Sequence, residues 1–171
     1  MERALGIITG VIAAGVIVAV IWFAYRKNKS GGQFDERQLT LRAKGMQRSF
    51  FVTLIAEAAA LFLVELDYIP LESATLAVFI ALMIGIVTFA VFCISKDVFF
   101  RVGEKGTYYL ILSAAIVVMN GASVAAHMAD GSLLDNGRAT FEGCSALVMA
   151  VSFLVIFIAL LIRRGTGDAE E

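Results

Sequence analysis

Residues 73–95 read SATLAVFIALMIGIVTFAVFCIS, an uncharged run held between Glu72 and Lys96-Asp97. As an α-helix it would rise about 35 Å, enough to cross a hydrocarbon core of about 30 Å, so the stretch predicts a membrane-spanning helix. Working outward, charge-poor runs recur at 4–25, 50–66, 108–126 and 144–162. Together they predict an all-α, polytopic membrane protein of five spans in a single membrane domain, residues 1–171. With 60% of its residues apolar and a mean hydropathy of +0.86, the chain leaves little length for a separate soluble domain. The arithmetic disfavours direct nucleic-acid binding and a Rossmann or P-loop enzyme, and the lone His127 provides no multi-histidine metal site. No metal or other cofactor is expected.

The run at 50–66 is the weakest, because Glu57 sits near its middle, but the positive charges require it. Lys and Arg bias a loop toward the cytoplasm, whereas Asp and Glu contribute little. Twelve of the 14 lie at 26–49, at 96–107 and in the tail at Arg163 and Arg164. The alternate side keeps only Arg3 and Arg138, among Glu65, Asp67, Glu72, Asp130, Asp135 and Glu142. The expected topology therefore has the amino terminus outside, the carboxyl terminus inside, and a multi-pass location in a membrane. The first span reads as an uncleaved reverse anchor, since Glu2 and Arg3 cancel before it and the basic cluster follows it. Its Gly6, Gly10 and Ala14 lie four apart, allowing close helix approach within one protomer or in a homo-oligomer.

Two further features follow from this topology. Cys93 falls at the inner end of one span and Cys144 at the outer start of another, too far apart for an intrachain disulfide. Lys44-Gly45 and Lys105-Gly106 each precede a span, while Asp67-Tyr68 and Asp135-Asn136 each open an outer turn. That is the pattern of two helical hairpins repeated in parallel.

The most informative local stretch is Phe34-Asp35-Glu36-Arg37-Gln38-Leu39. Asp35 suits an N-cap, Gln38 can close a capping box, Phe34 can staple onto Leu39, and Glu36 favours the positive end of the helix dipole. Continued at 100° per residue, Leu39, Ala43, Met46 and Phe50 share one face, with Arg37, Lys44 and Arg48 opposite. The expectation is a basic amphipathic helix at 35–49 lying in the inner headgroup layer and turning into the next span at Gly45. Arg37, Arg42, Lys44 and Arg48 are its candidate contacts to anionic lipid or to an acidic protein partner.

The tetrad Asp35-Glu36-Arg37-Gln38, with Arg42, Lys44-Gly45 and Phe50-Phe51, is followed by Cys93-Ile94-x-Lys96-Asp97-x-x-Phe100. This combination, over residues 34–106, resembles a group of small, uncharacterised bacterial membrane proteins, mainly Gram-positive. The resemblance implies a cytoplasmic partner such as a helix-turn-helix regulator. Both motifs fall on one side of the membrane, so they can meet. Asp97 then either pairs with Arg37 or Arg42, or joins Lys96 in solvating a helix end.

Intramembrane carboxylates default to functional suspicion, so Glu57 is a candidate for binding a proton or cation, facing Asn120 or Ser113. The alternative is a hydrogen-bonded packing peg, with Asn120 as a second one. Ser123 and His127, four apart with Asp130 beyond, outline an intramembrane serine hydrolase, but neighbours on one helix rarely orient as nucleophile and base. The stretch 130–135 lacks the ligand spacing of a calcium loop. The sequence thus favours a non-enzymatic interaction or regulatory subunit, with a small oligomeric transporter or channel using Glu57 as the alternative.

Overall fold

The computed structural model describes residues 34–101, 106–135 and 137–167. They form helices α1 (Glu36–Glu65), α2 (Ala74–Ser95), α3 (Thr107–Ala129) and α4 (Phe141–Gly167). The 3-10 turn Leu71–Ser73 precedes α2, and a minimal ladder pairs β1 (Leu134–Asp135) with β2 (Arg138–Ala139). Each long helix, α2 taken with its 3-10 turn, is long and apolar enough to cross a membrane. The spans expected at 73–95, 108–126 and 144–162 coincide with α2, α3 and α4. The span expected at 4–25, with Gly6, Gly10 and Ala14, lies outside the described residues.

One expectation fails in an informative way. There is no separate amphipathic helix that bends at Gly45; α1 runs unbroken for 30 residues, about 45 Å against a core of about 30 Å. Its first turns therefore extend the span rather than lie across it. Gly45 is buried, and a Cβ there would come within 2.7 Å of the Phe92 ring and 3.4 Å of the Cys93 sulfur. Glycine serves at this position to let α2 approach, not to break the helix.

The helices pack in the order α1, α2, α4, α3, with α1 against α2, α2 against α4, and α4 against α3. The hairpins α1–α2 and α3–α4 thus meet through their second helices. The α1–α2 seam is made of small residues. A Cβ on Gly85 would fall 1.7 Å from the Thr53 hydroxyl oxygen and 3.5 Å from the Ser49 carbonyl. Gly45, Ser49 and Thr53 recur every four residues, so this seam is one stripe along α1. The large apolar side chains point elsewhere: Phe50, Ile55 and Phe62 are exposed on α1, as are Ile111, Val118 and Met119 on α3. Such faces suit a lipid solvent. The enclosed core gathers at one end, where Ala90 and Ile94 meet Ile156 and Leu160.

Helix ends are closed by backbone bonds. At the end of α2, Val98 N–H donates to the Cys93 carbonyl (2.9 Å) and Asp97 N–H to the Ile94 carbonyl (3.2 Å). This is a Schellman cap whose left-handed residue is Asp97, at φ 61°. The end of α1 closes likewise on Asp67 (φ 60°), and that of α3 on Gly131 (φ 70°). At the latter two ends the acidic residues gather. Arg138 donates to Glu72 at 2.7 Å, and the buried Ser73 hydroxyl donates to the Ala139 carbonyl at 2.6 Å, tying the ladder to the start of α2. The Glu72 hydrogen bond and charge raise the Arg138 pKa above its ordinary value.

Candidate functional site

The opposite, basic end is where the two sequence motifs meet. Helix α1 starts with the expected capping box: Gln38 N–H donates to Asp35 Oδ1 (2.6 Å), and Asp35 N–H to Gln38 Oε1 (3.4 Å). With its Oε1 so engaged, Gln38 turns its amide nitrogen outward to the α2–α3 loop. It donates to the carbonyls of Asp97 (3.5 Å) and Phe100 (3.3 Å). One turn further, Arg42 donates to the carbonyls of Val98 (3.0 Å) and Phe99 (3.1 Å). The loop that ends α2 is thus held by four carbonyl contacts from α1.

The Asp97 carboxylate takes neither expected partner. It accepts two hydrogen bonds from Arg163 near the end of α4, one of them from Nε at 3.1 Å. Arg42 is engaged by carbonyls instead, and Arg37 stays exposed on another face of α1. Charge sorting placed all three arginines at one end, but only the packing of α4 on α2 decides which reaches Asp97. Arg163 was the residue that sequence reasoning missed as a site member. Its signal was present only as one cation among several in the tail.

Aromatic rings complete the clasp. The Arg42 guanidinium lies 4.3 Å above the Phe34 ring and 5.7 Å from Phe89, and Arg101 lies 5.8 Å from Phe34. Phe34 therefore supports a cation, and Leu39, its expected staple partner, is exposed. Phe99, Phe100 and Tyr109 form a mutual cluster with centroids 5.2–5.6 Å apart. Cys93 and the loop's own Val98 are buried almost completely. Cys93 and Cys144 are both buried and free, and Cys144 donates to the Leu133 carbonyl (3.3 Å).

The remaining candidates separate into two groups. Arg37 and Lys44 join Glu36, Thr40, Leu41 and Lys96 around an open groove of about 570 Å³. Arg48 is exposed, with its guanidinium 4.9 Å above the Phe92 ring. Glu57 is half-buried at the same four-residue spacing as Gly45, Ser49 and Thr53, on the α2 side of α1. Ser113 and Asn120 belong to α3, at the far edge of the layer, and bond the Leu110 and Ile116 carbonyls of their own helix. The structure does not bring Glu57 to them. His127 faces Ser132 across 2.8 Å rather than Ser123, within the turn that closes α3.

No family model, curated protein or solved structure matches this chain.

Proposed function

We propose that this chain is a non-enzymatic interaction or regulatory subunit of the bacterial cytoplasmic membrane, with five spans and its basic end in the cytoplasm. The observation that carries the reading is the clasp. Three helices fix the 97–100 loop and the first turns of α1, leaving Arg37, Lys44 and Arg48 exposed on a rigid support. A helix that extends beyond the hydrocarbon and is held in one orientation suits presentation of cations to acidic groups, on anionic lipid or on a cytoplasmic protein. The motif resemblance points to a helix-turn-helix regulator as one such partner. Direct nucleic-acid contact is not part of the proposal.

The transporter reading, built on Glu57, has less support. The Thr53, Thr88 and Ser113 hydroxyls and the Asn120 amide each bond a carbonyl of their own helix instead of forming a polar chain. A pull-down from membranes with the wild type and an Arg37/Lys44/Arg48 charge-neutralised variant tests the proposal. Lost capture with an intact fold supports it. Unchanged capture, together with proton or cation flux in liposomes that Glu57→Gln abolishes, transfers the case to transport.

A further inference from the structure

The open groove beside the clasp has a charge pattern that selects one kind of ligand. Arg37, Thr40 or Leu41, and Lys44 follow one another at helical spacing along α1, and Lys96 faces them from the end of α2. Three cations therefore surround one opening, against the single carboxylate of Glu36. Lys96 is the first residue after the uncharged run of α2, and Lys44 precedes Gly45, which touches Phe92 and Cys93 near the end of that run. Both lysines thus stand where hydrocarbon gives way to headgroups. Arg37 lies about 10 Å further along α1, away from the hydrocarbon. Because Arg42 and Gln38 hold the backbone just beyond Lys96, the separation between the two helices' cations is set before any ligand arrives.

We propose that this groove binds the phosphate of an anionic phospholipid, with Lys44 and Lys96 on the phosphodiester and Arg37 reaching the outer part of the headgroup. The inference rests on the reading above that the basic end engages acidic groups, and it names the group. Two lysines that converge from different helices suit a phosphate as point charges. A flat or single-helix basic face would bind anionic lipid without holding one molecule. A preset gap between two helices holds one.

The test is native mass spectrometry of the full chain released from nanodiscs of phosphatidylcholine mixed with phosphatidylglycerol. The wild type is expected to retain one phosphatidylglycerol in preference to phosphatidylcholine. Lys44→Gln/Lys96→Gln should lower that retention about thirtyfold, since the two cations near an anionic surface contribute on the order of 1 kcal/mol each. Lys44→Arg/Lys96→Arg should restore it, and Arg164→Gln, an exposed cation at the same end, should leave it unchanged. Helicity and Tm are read for every variant, so loss of fold is recognised. Equal retention of both lipids, or wild-type retention by the double glutamine variant, overturns the proposal. So does protection by millimolar inorganic phosphate with none by lipid. Protein capture that depends on Arg37, Lys44 and Arg48, without lipid selectivity, overturns the lipid assignment and leaves the docking reading standing. Selective lipid retention without protein capture does the reverse.

Discussion

Asp97 and Arg163, 66 residues apart, fasten the end of α2 to the end of α4. Asp97 does so from a left-handed backbone conformation, φ 61°, that costs most non-glycine residues roughly 1–2 kcal/mol. The pair is partly open to solvent, the Arg163 side chain 37% and the Asp97 side chain 60% exposed, so its coupling should be only about 0.2–1 kcal/mol. A double-mutant cycle of Asp97→Asn and Arg163→Gln measures it. Swapping the charges, Asp97→Arg with Arg163→Asp, should recover stability that Asp97→Arg alone loses. Pairing Asp97→Arg with Arg37→Asp should not.

The same position separates charge from backbone strain. Asp97→Gly loses the carboxylate but relaxes the left-handed residue, whereas Asp97→Ala loses the carboxylate and keeps the strain. Thermal unfolding in detergent should therefore rank Asp97→Gly above Asp97→Ala, by about 1 kcal/mol. The opposite order would mean that the Schellman cap does not limit stability.

Arg42 is a structural cation, in contrast to Arg37. Removing it leaves the Val98 and Phe99 carbonyls without their guanidinium donor, and bonds to charged groups contribute about 1.5–3 kcal/mol. Arg42→Gln should speed amide exchange and proteolytic cleavage at 98–101. Arg37→Gln should leave both at wild-type rates while weakening any acidic partner.

Gly85→Ala should be the more damaging of the two seam glycine changes. Its new methyl group would meet Thr53 at 1.7 Å, whereas the one on Gly45 would meet a Phe92 ring that can turn aside. Overpacking of this kind costs about 1–3 kcal/mol. Adding Thr53→Ala should restore part of the loss, read as the unfolding midpoint. No restoration would argue that α1 and α2 do not touch there.

At the acidic end, Ser73→Ala should cost more than Glu72→Gln. The Ser73 hydroxyl is buried on the Ala139 carbonyl, while the Glu72–Arg138 pair is exposed on both sides. About 1 kcal/mol is expected for the first and less for the second. Equal Tm values for the two variants would contradict the burial.

Much of this architecture was legible because its causes are local or compositional. The capping box needs only Asp35 and Gln38 three residues apart, and the ends of α2 and α3 follow the charges that bound each apolar run, whereas α4 continues past Glu142 and Arg163-Arg164. The packing face of α1 was not legible from its apolar stripe, for a physical reason. In a bilayer the large apolar side chains face lipid and the small ones face protein, so Leu39, Met46 and Phe50 mark the outside of the bundle. Gly45 was taken as a bend, when its missing side chain makes room for Phe92. The partner of Asp97 could not be read at all. Several cations share that end of the molecule, and which one reaches it depends on how α4 packs.

Because α1 passes through Gly45 without a joint, it acts mechanically as a lever rather than a hinge. Arg37 and Thr53 are about 24 Å apart on one rod. A pull or twist delivered to the protruding tip must either be resisted by the grip of Gln38 and Arg42 or shift Thr53 against Gly85 deep in the bilayer.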